Sequence, residues 1–296
     1  MASVVQRLAK KGLIHPPSFL PTNVHYETLM GSVAYGVSSD TSDCDVYGFC
    51  IPPKDVIWPP GEIQGFGRQK KRFDQFQQHH IEAQDERKEY DLSIYNIVRY
   101  FHLLMENNPN MIDSLWTPQT CVLHITQVGN MVRDNRSMFL HKGCWHKFRG
   151  YAYSQLHKMI GKNPTGKRVA IREEFGYDVK FAYHVFRLLD EVEQILAEGD
   201  IDLQRGREKM KAIRRGEVSE EEIREWFSLK EKELEKLYHN SPLQHAPDEK
   251  KIKNLLLQCL EHHYGSLDAC VVDENEAVTA LKEIQEILDK NARILR

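Results

Sequence analysis

The stretch Gly31-Ser32-Val33-Ala34-Tyr35-Gly36, with Ser42-Asp43-Cys44-Asp45-Val46-Tyr47-Gly48 shortly after it, decides how this chain is read. Val24 to Met30 has the composition of a strand. It runs into Gly31-Ser32, where a backbone without side-chain bulk can approach a phosphate and a hydroxyl can donate to it. Ala34-Tyr35-Gly36 reads as the first turn of a short helix, whose amides favour anions. Gly31, Ser32 and Tyr35 are therefore candidate nucleotide-binding residues. In a strand, residues two apart share a face, so Asp43 and Asp45 point together and Cys44 points away. Two carboxylates on one face repel unless a cation lies between them. An oxygen-preferring divalent ion, Mg²⁺ or Mn²⁺, is the expected cofactor.

G-S, a spacer, then D-x-D and an apolar residue resembles the signature of the DNA polymerase β superfamily of nucleotidyltransferases. The longer run G-S-x-A-Y-G-x(6)-S-D-x-D-x-x-G is similar to one branch, the polymerase-β-like proteins of RNA repair pathways. H-H-I-E (79–82), Y-D-L-S (90–93), N-N-P-N-M-I-D (107–113) and F-R-G-Y-A-Y-S-Q (148–155) extend the resemblance over roughly the first two hundred residues. It implies an α+β fold, with a mixed sheet and helices followed by a helical C-terminal region. Expected boundaries are 1–137 for the catalytic domain and 138–296 for a helical domain completing the substrate site.

The resemblance also implies a third carboxylate on a later strand. Phe73 to Gln84 alternates like a strand, Asp85-Glu86-Arg87-Lys88 is a turn signal, and Glu89 to Tyr95 returns as a second strand. Asp91 is preferred, being flanked by Tyr90 and Leu92; Glu89 and Glu82 are its rivals, and capping of the next helix is its bland reading. By resemblance, Asp43 and Asp45 hold two metals, Asp91 touches the one that activates the nucleophile, and Gly31 and Ser32 hold the β- and γ-phosphates. Two cations about 3.5–4 Å apart suit in-line displacement at phosphorus. The implied reaction moves NMP from an NTP to an acceptor hydroxyl and releases pyrophosphate. An RNA end is the leading acceptor; a protein hydroxyl and a small molecule such as an aminoglycoside follow. A nucleotide- or RNA-binding protein without turnover is the alternative of a different class.

Composition is compatible with this. The 296 residues are 41% hydrophobic, enough for a core, and a net charge of −3 argues against a surface that coats nucleic acid generally. Six cysteines without a C-x-x-C pair point to reduced thiols and a cytoplasmic setting rather than to zinc or disulfides. The N-terminus reads as a short amphipathic helix rather than a signal peptide. No apolar run approaches the ~20 residues of a membrane span.

Charge is unevenly spread. From His141 to Arg172 there is no acidic residue, while Lys142, Lys147, Arg149, Lys158, Lys162, Lys167, Arg168 and Arg172 alternate with Trp145, Phe148, Tyr151 and Tyr153. The aromatics read as a helix core face. The unbroken basic run reads as a nucleic-acid surface, with Arg149, Lys162, Lys167 and Arg168 as its candidates. The octet from Gly161 to Arg168 matches G-x(4)-G-K but follows a helix, so it reads as an inter-helix loop and not a Walker A motif.

Asp178 is the expected N-cap of a helix over Val179 to Ala197. Lys180, His184 and Arg187 form a cationic stripe on it. By resemblance, Lys180 reaches the triphosphate, with Arg187 second; for His184 a partly buried structural role is preferred over base stacking or phosphate ligation. His80 and Glu82 would share a strand face and so suggest a metal, although a structural role for His79 and His80 on the sheet edge is preferred. Ser93 to Asn107, Pro109 to Leu115, Ile125 to Asn135, Cys144 to Ile160, Ser219 to about Tyr238, Asp248 to Tyr264 and Asn275 to Leu295 read as further helical segments, with a short strand at Cys121 to His124.

Overall fold

The computed structural model describes residues 2–38, 43–57, 73–161 and 167–267, together with positions 281, 284, 285, 287 and 288. The helix anticipated over Asn275 to Leu295 lies largely outside them. The chain opens with helix α1 (Val4–Lys10), started by the Ser3 hydroxyl, which accepts from the Gln6 amide at 3.0 Å. Its first amides, from Val4 and Val5, donate to the buried Glu27 carboxylate at 2.6 and 3.0 Å. Amides that no helical carbonyl can satisfy thus stabilise an acid in the core.

After α2 (Leu20–Asn23) come β1 (Val24–Leu29), α3 (Gly31–Ala34), β2 (Cys44–Cys50), α4 (Lys54–Ile57), β3 (Gln75–Ala83) and β4 (Lys88–Asn96). Then follow α5 (Ile97–Met105), α6 (Pro109–Trp116), β5 (Val122–Ile125) and α7 (Gln127–Asp134). The described elements after these are helices: α8 (Cys144–Gly161), α9 (Lys167–Phe175), α10 (Val179–Glu198), α11 (Arg207–Arg214), α12 (Glu220–Asn240) and α13 (Glu249–Tyr264).

Among the described residues, five strands form one mixed sheet in the order β3-β4-β2-β1-β5. Only β2 and β4 run parallel; the other neighbours are antiparallel. Period-two alternation divides β2 between two cores. Cys44, Val46 and Cys50 pack with Val5, Leu8 and Leu20 on one face. Phe49 packs on the other with Tyr26, Tyr100 and the helical layer. Cys44 thus turns away from the face that carries the carboxylates, as strand geometry requires.

Helix α10 is the axis of the helical layer, buried through Phe181, Val185, Leu188, Leu189, Val192, Ile195 and Leu196. Asp178 caps it by accepting from the Lys180 and Phe181 amides at 3.0 and 3.2 Å. Ser219 and Glu222 form the expected capping box of α12. The segment from Ser93 stays extended to Asn96, whose side chain caps α5 by accepting from the Val98 amide at 3.0 Å; the helix therefore starts four residues later than the sequence suggests. The apolar core is continuous across position 137. Phe139 meets Phe101 edge-on at 5.3 Å, and Cys144, Trp145 and Phe148 belong to the same cluster. Helix α13 returns to pack on α5 and α7.

Candidate active site

The phosphate-type turn is built by one glycine. Gly31 has φ +64°, and a Cβ there would lie 2.3 Å from Asp45 Oδ2. Both backbone and neighbour therefore demand glycine. The Met30 amide donates to the Asp45 carbonyl at 2.7 Å, tying the turn to β2, and the Val37 amide closes it on the Ser32 carbonyl at 2.9 Å. The left-handed Gly31 ends the extended chain at once. The helical turn consequently covers Gly31–Ala34, three residues before the anticipated start. Two later residues hold this turn from outside: Gln204 Nε2 donates to the Ala34 carbonyl at 3.1 Å and Arg214 donates to the Val37 carbonyl.

Tyr35 does not line the turn's surface. It is buried, and its hydroxyl donates to Asp113 Oδ2 at 2.8 Å. The Arg187 guanidinium lies 4.4 Å from its ring and pairs with Asp113 and, at 3.1 Å, with Glu191. Both residues sit beneath the loop and brace it against α6 and α10, where the sequence placed them among nucleotide contacts. Burial pushes the Asp113 and Glu191 carboxyls up, against the pull of Arg187. Asp113 was missed as a site-supporting residue. Its only sequence signal is its place in N-N-P-N-M-I-D, because the partners are 74 and 78 positions away.

The carboxylates come together as adjacent strands require. Asp45 and Asp91 are register partners across the parallel β2–β4 pair. The Asp45 carboxyl is pushed up to about 6 by burial and by the Asp91 charge; Asp43 adds to this, while Lys180 and His79 oppose it. A half-buried acid facing other acids, with cations at its rim, binds a proton or a cation strongly. The donors are all oxygens, and a side chain at position 31 would fill the space against Asp45 Oδ2, so the set fits a hard divalent ion such as Mg²⁺ or Mn²⁺.

Around Asp91 the edge strand β3 is irregular. The β3–β4 register shifts between Gln78 and Ile81, so His79 and His80 together oppose Asp91. His80 has φ +54°; its amide donates to Asp91 Oδ1 at 2.8 Å and its Nδ1 lies 2.5 Å from Glu89 Oε1. His79 Nδ1 is 3.5 Å from Asp91 Oδ2. The bulge thus pairs His80 with Glu89, whereas Glu82, its expected partner, lies opposite Glu89 on the neighbouring strand.

The cationic stripe of α10 divides into three different environments. Lys180, in the first turn, acts on Asp45. The His184 imidazole is driven well below its ordinary range by burial, then by Arg187, Lys180 and Arg168, so it is neutral. Arg187 is committed to the buried acids. In the basic stretch, Arg168 pairs with Asp178 at 2.8 Å and covers the Phe181 ring at 4.0 Å. Arg149 pairs with Glu231 at 2.5 Å and lies over Trp145 and Tyr153. Lys147 meets Glu106 at 3.4 Å, and Lys142 is buried. Lys162 and the Lys167 side chain lie outside the described residues.

A mixed sheet sets the Gly31 turn against Asp45, with Asp91 on the adjacent strand, within the α+β arrangement that the sequence implies. The chain belongs to the RNA repair pathway DNA polymerase beta family, whose model matches residues 6–277. Among solved structures, a nucleotidyltransferase-like protein from Exiguobacterium sibiricum matches over 87% of this chain and 72% of its own, at 10% identity and a TM-score of 0.29. A search of curated proteins gave no match. Among the described residues no helix is long and apolar enough to cross a membrane.

Proposed function

We propose that the protein transfers NMP from an NTP to a hydroxyl at an RNA end and releases pyrophosphate. The observation that carries this reading is Asp45: an acid raised to about 6, facing Asp91 and opening onto the Gly31 turn. Asp43, Asp45 and Asp91 would hold Mg²⁺ or Mn²⁺, which when bound neutralise charge on the triphosphate and acidify the attacking hydroxyl. Gly31 and Ser32 bind the β- and γ-phosphates through their amides and the Ser32 hydroxyl. Lys180 balances the charge of the leaving pyrophosphate. Asp91 is assigned to the side of the attacking hydroxyl. The acceptor oxygen forms the new bond to the α-phosphorus as the bond to the β-phosphate oxygen breaks, and the hydroxyl proton leaves to solvent.

Residues 1–137 supply the carboxylates and the turn, and residues 138–296 complete the nucleotide and acceptor sites. For RNA contact we favour Lys162 and Lys167 over Arg149 and Arg168, which Glu231, Asp178 and aromatic rings already occupy. Tyr35 and Arg187 act from beneath, by fixing the loop.

The test is incubation with each α-labelled NTP, Mg²⁺ or Mn²⁺ and total RNA, beside Asp43→Ala and Asp45→Ala proteins. Label entering RNA only with the unaltered protein is the expected result and names the nucleotide. Label on protein would move the reading to AMP transfer onto a protein hydroxyl. Absence of NTP binding would overturn it altogether.

A further inference from the structure

We propose that Arg214 binds the terminal phosphate of the nucleotide, so that the site selects a triphosphate over a diphosphate. The inference rests on the reading above for the class of ligand and adds a residue from α11 to that site. Helix α11 belongs to the helical layer, yet it packs on the glycine turn. Gln204, just before the helix, donates to the Ala34 carbonyl at 3.1 Å, and Arg214, in its last turn, donates to the Val37 carbonyl. A Cβ at Gly36, where φ is +68°, would lie 3.3 Å from the Gln204 side chain and 3.6 Å from Arg207 Cδ, so the approach is close.

The turn has two ends. At Gly31 it abuts the Asp45 carboxylate, the side of the reacting α-phosphorus. At Val37 it meets Arg214. A polyphosphate that starts at the carboxylates and follows the turn ends beside that guanidinium. The bond to Val37 uses one guanidinium donor and leaves others for the oxygens of a terminal phosphate. The neighbouring arginines differ. Arg149 is paired with Glu231, Arg168 with Asp178, and Arg187 with Asp113 and Glu191. Among the described residues, Arg214 meets the Val37 carbonyl and, at 5.5 Å, the Tyr183 ring, and pairs with no carboxylate. It is half-buried, and a cation partly removed from water without a counter-charge favours an anion beside it. The Tyr183 hydroxyl, pushed up by burial, feels both Arg214 and Asp45. The His184 imidazole, driven down by burial and then by Arg187, feels Lys180, Arg168 and Arg214. Arg214 therefore stands with Lys180 on the cationic side of the corner, opposite the carboxylates.

The probes are the four NTPs and the matching NDPs, titrated one at a time into the full chain with Mg²⁺ and no acceptor. The unaltered protein should bind an NTP more tightly than its NDP. Arg214→Gln should weaken the NTP by about tenfold or more and the NDP by less than about twofold, so that the preference collapses. Gln204→Ala loosens the same turn without removing a charge and should leave the ratio unchanged. Equal weakening of NTP and NDP in Arg214→Gln would reduce the residue to a brace for the turn. That result, an unchanged ratio there, a ratio that collapses in Gln204→Ala as well, or no NTP preference in the unaltered protein would each overturn the assignment. A preference lost in Arg214→Gln, with no NMP transfer by the unaltered protein to any acceptor, would count against the proposed reaction and leave this site standing. Transfer by the unaltered protein with the preference intact in Arg214→Gln would do the reverse.

Discussion

The sheet corner and the helical stretch from His141 to Arg172 both carry charge of one sign, yet they are opposite in kind. At the corner, tertiary structure brings like charges together: Asp43 and Asp91 both act on Asp45 and raise it. Along the basic stretch it does the reverse. Glu106, Glu231 and Asp178 arrive from other segments and pair with Lys147, Arg149 and Arg168. Aromatic rings cover what remains of Arg149 and Arg168. A fold that gathers like charges and only partly relieves their repulsion has a reason outside itself, whereas a run of one sign in sequence says little until its partners are known.

The largest effect should come from the corner. Asp45→Ala is expected to lower transfer by about 10³-fold or more, with the fold intact by circular dichroism. A loss under tenfold would break the contrast. Stability should move the other way. An acid held at about 6 against an ordinary 3.8 keeps its proton in the fold while the unfolded chain ionises. Below pH about 4 both states are protonated and there is no penalty. Between pH 4 and 6 stability falls as pH rises, and above 6 the penalty is full. In metal-free buffer Asp45→Asn should therefore stabilise the protein by up to about 3 kcal/mol at pH 7.5 and by little at pH 3.5. Equal denaturant midpoints at pH 7.5 would remove the repulsion argument.

Gly31→Ala is expected to lose about 1–3 kcal/mol of stability, from its positive φ and from the clash with Asp45. Combining it with Asp45→Ala should recover the clash part, so strict additivity would assign the whole loss to the backbone. Lys180→Ala should raise the apparent KM for NTP by about 10–100-fold, the worth of one bond to a charged group. An unchanged KM would detach Lys180 from the triphosphate. Smallest of all, Arg149→Ala should change RNA affinity less than about threefold and stability by about 0–1 kcal/mol. A steep loss of RNA affinity, together with a shallower salt dependence, would restore the basic stretch as a polyanion groove.

The sequence by itself determined most of the long helices and strands and the glycine turn before Asp45. Strand alternation turned Cys44 away from the face of Asp45, capping residues located α10 and α12, and the turn signal joined β3 to β4. Such features rest on local chemistry, where residues a few positions apart decide the outcome. Tertiary structure decided what each charged side chain faces. The sequence set Lys180, His184 and Arg187 in one stripe with Arg187 as the second triphosphate candidate, but Arg187 turned inward to Asp113 and Tyr35, and burial drives the His184 imidazole well below its ordinary range. His80 gained Glu89 in place of Glu82 because one extra residue in β3 shifted the register. Electrostatic energy depends on distance in space and on exclusion of water, and neither quantity is written along the chain.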